Sequence, residues 1–226
     1  MSHPQRRIVA GWSRRRFVVD DGPVLDVGSG AFPNRAADVL VDLEVDDDRH
    51  RHGRQLVIDR PFVVARVEAL PFRDGAFAFV IASHIAEHVS DPAGLCRELS
   101  RAARRGYVET PSPFADLLLH EEYHIWRVGV RNGKLIFKEK AERPRLLVVS
   151  TDRIYRLFYA GRHDCSRPVA RLPGGPVGRA MAFLLRALGA ALNRVGLMHT
   201  RYPFGPTSPL RFEVQPLQAP RGSSVP

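Results

Sequence analysis

The chain has 226 residues, 44% of them hydrophobic and 26% charged, the makeup of one globular α/β domain with or without an appendage, and at this length it can bury enough surface to fold without disulfides. Its formal charge is +10 and its pI about 10.5, which suits nucleic acid or an anionic membrane; yet the lysines are only Lys134, Lys138 and Lys140, and such an arginine skew beside many Ala, Val, Gly and Pro reads as compositional bias, so nucleic acid is set aside as a partner. Cys96 and Cys165 stand alone, which excludes CxxC zinc ribbons and thioredoxin motifs and points to a reduced, cytoplasmic protein.

Residues 1–22 read as a polar, Arg-rich arm, with too short an apolar run after Arg6 and Arg7 for a signal peptide. A core domain is expected over 23–160. Apolar runs at Pro23 to Val27, Val39 to Val41, Phe62 to Val67, Phe77 to Ala82 and Tyr107 to Glu109 predict five strands. Between the last two, Asp91 to Arg104 predicts a helix with Leu95, Leu99 and Ala102 on one face and Asp91 as N-cap. Strands alternating with crossovers imply a doubly wound, mostly parallel α/β sheet.

Further on, His124 to Val130 and Leu135 to Glu139 flank Asn132-Gly133, the signature of a tight β-hairpin. A strand at Leu146 to Val149 and a helix from Asp152 to Tyr159 would complete the core. Residues 161–226 form an extension. Within it, Val177 to Val195 predicts an amphipathic helix, with Arg179, Arg186 and Arg194 opposite Met181, Leu184, Leu185, Leu188 and Leu192. That helix either packs on the sheet or docks on an anionic membrane or an apolar partner. The tail from Gln215 is expected to be disordered. No apolar run is long enough to span a bilayer.

The informative segment is Val24-Leu25-Asp26-Val27-Gly28-Ser29-Gly30. A buried strand ends near an acid and then turns through Gly-x-Gly, where one glycine permits the turn and the next permits close backbone approach to a ligand. Asp42 ends the second core strand, where a carboxylate can accept both hydroxyls of a ribose. Two further pieces follow in order, Glu68-Ala69-Leu70-Pro71-Phe72-Arg73-Asp74-Gly75-Ala76-Phe77 and Ser83-His84-Ile85-Ala86-Glu87-His88-Val89-Ser90-Asp91-Pro92.

Together these pieces resemble the class I S-adenosylmethionine-dependent methyltransferase family, in its type 11-like form, from Val24 to about Pro113. The resemblance implies a Rossmann-like sheet of seven strands, S-adenosylmethionine as cofactor, and a cofactor site at the carboxyl ends of the early strands. It implies that Asp26, Gly28, Ser29 and Gly30 form the methionine-side loop, that Asp42 binds the ribose, that Val67 and Glu68 flank the adenine, and that Ser83 and His84 lie where the methyl group faces the substrate. Three positions depart from the family's pattern. No third glycine opens a helix after the first core strand, which would leave the methionine end more open. Arg66 stands where an Asp is common, and Phe77-Ala78-Phe79 replaces Phe-Asp.

His84 and His124 are the candidate catalytic residues. His84 and His88 would share a face if Ser83 to Val89 begins a helix, and histidine suits a general base near neutral pH. His120-Glu121-Glu122-Tyr123-His124 matches the H-E-x-x-H zinc motif. No third ligand stands at a usual spacing, so no metal is expected; the segment from Thr110 to His124 is read as lining the acceptor pocket. The expected reaction is O-methylation of a small or medium acceptor such as a sugar, a lipid-linked precursor or a secondary metabolite. An RNA methyltransferase and a non-catalytic methyltransferase-like partner protein are the alternatives. Oligomeric state is open.

Overall fold

The computed structural model describes residues 7–10, 16–19, 22–48, 51, 53–118, 123–140, 183–184, 187, 191–192 and 196–217. The expected strand at 146–149, the helix at 152–159 and Cys165 lie outside the described residues.

The central sheet holds six described strands: β3 (Val24–Val27), β4 (Val39–Asp42), β5 (Phe62–Val64), β6 (Phe79–Ser83), β7 (Gly106–Pro111) and β10 (His199–Phe204). They lie in the order β10-β7-β6-β3-β4-β5. Five are parallel, and β10 runs antiparallel to β7. The sheet is thus Rossmann-like and mostly parallel, with one strand fewer among the described residues than the seven expected. Every residue of β3 is buried, as a strand covered on both faces requires.

One face carries α1 (Pro92–Ala102), whose Leu95, Cys96, Leu99 and Ala102 are buried against Leu25, Val27, Val80, Ala82 and Val108. Pro92 opens this helix, where a missing N–H costs nothing. Asp91 occupies the N-cap position but makes no side-chain cap hydrogen bond, so the expected cap is positional only. Cys96 is a free, buried thiol pushed up to about 12, chiefly by desolvation.

The same core takes in a three-stranded sheet of β8 (Trp126–Arg131), β9 (Lys134–Glu139) and β11 (Phe212–Gln215), through Trp126, Val128, Leu135 and Phe137. Asn132 and Gly133 both take positive φ, 51° and 69°, so the predicted hairpin turn forms as the Asn-Gly pair dictates. The tail expected to be disordered is ordered at its start. Gln215 closes β11, and the Leu217 amide donates to Glu139 at 2.8 Å.

The opposite face corrects the reading of residues 1–22 as an arm. β1 (Arg7–Ala10) and β2 (Arg16–Val19) form an antiparallel pair. Val9 and Val19 are buried with Val24, Leu40, Phe79, Ile81 and Tyr107. Phe17 stacks at 4.5 Å from the Tyr107 ring and 5.6 Å from the Phe79 ring, both tilted. Each strand is one arginine followed by three apolar residues, a run too short to stand out in sequence.

The extension is described in part. Residues 183–184, 187 and 191–192 are helical, and the rest of the 177–195 helix lies outside the described residues. Leu184 is 61% exposed, so at that position the helix does not pack on the sheet. No helix among the described residues is long and apolar enough to cross a membrane.

Candidate active site

The strand order reverses at β3, which pairs with β4 on one side and β6 on the other. In open α/β sheets the ligand crevice lies at the carboxyl ends of the strands at such a switch point. The residues singled out in sequence gather there: Gly28, Ser29 and Gly30 follow β3, Asp42 ends β4, and Ser83 and His84 close β6.

The glycine loop is held by its own backbone. The amides of Gly28 and Ser29 both donate to the Val41 carbonyl, at 2.7 and 3.1 Å. Gly28 has φ +65°, and a Cβ there would lie 2.8 Å from the Ile85 side chain. Gly30 has φ +54°, and its amide donates to Asp42 Oδ2 at 2.9 Å. Asp42 Oδ1 accepts from the Glu44 amide at 3.2 Å. Each carboxylate oxygen thereby keeps acceptor capacity for a further donor.

Asp26 is 4% exposed, and its Oδ2 accepts from the Asn34 amide at 2.7 Å. Desolvation is the largest influence and pushes its carboxyl up to about 7, against the Asn34 hydrogen bond and the field of Arg60. No helix forms after β3, as the missing glycine implied. Arg51, Arg54 and Val57 contact the glycine loop instead. The Val57 amide donates to the Gly30 carbonyl at 3.2 Å, the Arg54 guanidinium sits 4.7 Å from the Phe32 ring centroid, and Arg51 lies within 3.8 Å of where a Gly30 Cβ would stand.

Val67 is buried in the core with Leu25, Val27 and Val41. Glu68 is tied up with its neighbours: Arg66 Nη2 lies 3.3 Å from Glu68 Oε1 and donates to Ser90 Oγ at 2.9 Å, while Ser90 Oγ donates to Glu68 at 3.2 Å. Arg66 therefore organises the segment in which the family commonly places an acid. Ser29 Oγ and Ser83 Oγ are buried without a hydrogen-bond partner among the described residues, and an unmet polar atom of that kind leaves a hydrogen bond for water or a ligand group to make.

Across β6 lies a second, more strongly polar cluster. His84 takes φ 56°, a left-handed conformation in which histidine is over-represented but which still holds strain. Its amide donates to the Glu109 carbonyl at 2.8 Å. The helix expected from Ser83 to Val89 does not form; the chain turns at residues 86–88. The turn still directs both rings at one acid, with His84 Nδ1 at 3.4 Å and His88 Nε2 at 4.0 Å from Glu87 Oε1. Burial opposes charge on the Glu87 carboxyl, but the His84 contact and the fields of His88 and His124 bring it down to about 2. Burial alone would lower His84, and the Glu87 contact reverses that and raises it.

His124 is buried, and Asp116 Oδ1 accepts from its Nδ1 at 2.9 Å. Asp116 also meets Lys140 Nζ and Arg127 Nε, each at 3.0 Å. Desolvation pushes the Asp116 carboxyl up, but His124 and Lys140 outweigh it and leave it well below the usual carboxylate range. Of the H-E-x-x-H segment, Tyr123 and His124 are described and neither is helical. Helix α2 (Pro113–Leu118) ends before it, and His124 leads into β8; His120, Glu121 and Glu122 lie outside the described residues. Sequence reasoning missed Glu109, Asp116, Lys140 and His199, whose ring packs edge-on at 5.5 Å from His84. They come from separate elements with no common spacing. A polar residue at the end of a core strand, as at Glu109, was the one usable signal.

Residues 25–108 match the family model described as a methyltransferase domain. The chain is 36% identical over 89 residues to an uncharacterized methyltransferase of Mycobacterium sp. strain KMS and to another of strain MCS, matches that cover 37% of this chain. They span only 35% of those relatives' own length. Among solved structures, geranyl diphosphate C-methyltransferase from Streptomyces coelicolor A3(2) is 22% identical, with 41% of this chain and 40% of that chain covered and a TM-score of 0.33. A methyltransferase from Mesorhizobium loti is 17% identical, with coverage of 54% and 58% and a TM-score of 0.33. At that level nothing about chemistry follows from the structural likeness. The sequence match falls on β3 to β7, the elements that build the crevice, and residues 25–108 are thus similar to a methyltransferase domain.

Proposed function

We propose that the chain transfers a methyl group from S-adenosylmethionine to an oxygen of a small or medium acceptor. The observation that carries this reading is the unit made by Gly28, Gly30 and Asp42 at the switch point of the sheet, with Gly30 bonded to the Asp42 carboxylate at 2.9 Å. Asp42 would accept the ribose hydroxyls. Asp26 would face the cofactor's amino acid end, Val67 and backbone near it the adenine, and the unmet hydroxyls of Ser29 and Ser83 further polar groups. When bound, the cofactor supplies a methyl group already activated by its sulfonium, which leaves alignment to the protein.

On the acceptor side the chain offers His84, at the end of β6, with Glu87 beside its Nδ1. A hydroxyl acceptor needs somewhere to put its proton, and a histidine backed by a carboxylate can take it. That is the support for oxygen over nitrogen, together with the absence from the sequence of an Asn/Asp-Pro-Pro-Tyr segment that clamps amides. His124 belongs to the same cluster, one step further from the cofactor crevice by way of Glu87.

The test is calorimetric titration of the full chain with S-adenosylmethionine and S-adenosylhomocysteine, with NAD as control. Micromolar binding of the first two alone is expected. Binding of neither would overturn the reading.

A further inference from the structure

Glu87, His88 and His124 offer three metal-ligating atoms within 4.8 Å of one another. From this arrangement we infer a binding site for a borderline divalent transition metal, Zn2+ first, with Glu87, His88 and His124 as its protein ligands.

The tautomers are set correctly for it. His88 Nδ1 lies 3.2 Å from the Tyr123 carbonyl. A carbonyl can only accept, so Nδ1 carries the proton and Nε2, the atom facing Glu87, keeps its lone pair in the neutral ring. Asp116 does the same for His124 Nδ1 at 2.9 Å and leaves Nε2 as the ligand atom. A carboxylate or carbonyl on the far nitrogen of each imidazole is the usual outer support of metal-bound histidine. Asp116 is itself held by Arg127 and Lys140, so the support is rigid.

Glu87 supplies the independent sign of a ligand. It is 1% exposed, and its Oε1 has as nearest polar partners the rings of His84 at 3.4 Å and His88 at 4.0 Å. Its Oε2 has no hydrogen-bond partner among the described residues; a buried carboxylate oxygen left unmet is costly, and a bound cation would relieve that cost. The backbone that presents these groups is locked together. The Glu87 carbonyl accepts from the amides of Ile125 at 2.9 Å and Trp126 at 3.1 Å, which pins the 86–88 turn to the residues that follow His124.

Two imidazoles and one carboxylate make a donor set used by zinc, with one position left for a water or another oxygen. Bonds of about 2.0–2.2 Å require the three atoms to draw in by roughly an ångström. The His88 and His124 rings, edge-on with centroids 4.8 Å apart, can do so by rotation about their side-chain bonds. The site uses His124 of the H-E-x-x-H segment but takes its partners from the turn after β6, which is why linear spacing did not reveal it.

The inference does not rest on methyl transfer, and its test reads metal alone. Untagged full chain, stripped with a chelator and dialysed against Zn2+, should retain one equivalent. Co2+ in its place should give the visible bands of a four- or five-coordinate ion. Glu87→Gln and His124→Ala should each weaken binding at least tenfold, and Asp116→Asn by about 10–100-fold through the outer support. Circular dichroism of each variant in chelator checks the fold. If a variant does not fold, X-ray absorption of the zinc-loaded wild type decides, with two imidazoles and one carboxylate expected. No stoichiometric uptake by folded protein, uptake unchanged in the folded variants, or a different ligand set would each overturn the site. Cofactor calorimetry reports on the other crevice, so failure of one reading is distinguishable from failure of the other.

Discussion

Gly30 and Asp42 act as one device: the glycine amide donates to the carboxylate at 2.9 Å across neighbouring parallel strands. The bond fixes the loop conformation and orients the acid together, with Glu44 steadying the other oxygen. Asp42→Ala removes an anchor of the loop and the proposed ribose acceptor at once. Affinity for S-adenosylhomocysteine should fall by about 1–3 kcal/mol, the cost of losing a hydrogen bond to a charged group. Calorimetry checks it, and unchanged affinity would take Asp42 out of the site.

Gly28→Ala should be more disruptive to folding. The residue would need φ near +65°, and its Cβ would meet Ile85 at 2.8 Å. The left-handed backbone costs about 1–2 kcal/mol for a non-glycine residue, and overpacking adds about 1–3 kcal/mol. Chemical denaturation should show a loss in the range of these two combined. Wild-type stability in this variant would mean that the loop relaxes freely.

Asp26 predicts a pH dependence of opposite sign to an ordinary ion-paired carboxylate. Its carboxyl is raised from 3.8 to about 7 by burial. Between those values the folded state keeps a proton that the unfolded state has lost, so stability falls as pH rises from about 4 to about 7 and levels off above. The full effect is bounded by roughly 4 kcal/mol at the usual conversion of pKa units. Asp26→Asn, which cannot ionise, should flatten this part of the profile. Stability curves for the two proteins that run parallel from pH 4 to 8 would contradict the assignment.

His84→Asn tests the acceptor side while respecting the backbone, because Asn tolerates the left-handed conformation that His84 adopts. Cofactor affinity should stay within about twofold, an interaction change well under 1.4 kcal/mol. Turnover on an identified hydroxyl acceptor should fall by about 10²–10⁴. Full turnover would show that His84 neither contacts the acceptor nor takes its proton.

Phe17→Ala tests whether residues 7–19 belong to the fold. The ring lies against Phe79 and Tyr107, in the core on the face opposite α1. Its loss should cost about 3 kcal/mol, in the usual range for a packed aromatic. A melting temperature within a degree of wild type would restore the reading of this segment as a loose arm.

By itself the sequence determined the five parallel strands of the central sheet, and its glycine turn and Asp42 fall at the carboxyl ends of β3 and β4. Buried parallel strands are continuous apolar runs, and turns that need positive φ need glycine or asparagine, so Val24 to Gly30, Asp42, Ser83 and Asn132-Gly133 were legible as local chemistry. The local signal failed where partners are remote. His84 and His88 would share a face only if Ser83 to Val89 began a helix, and it is instead a turn that brings them to Glu87. The segment before Gly22 was read as an arm because four-residue strands leave almost no periodic trace. Only the tertiary structure brought Glu87 and His88, on one turn, to His124 before β8, Asp116 from α2, Lys140 from the end of the hairpin and Glu109 from β7. Those residues meet because the turn, helix, loop and strand that carry them pack together, and no spacing along the chain encodes that adjacency.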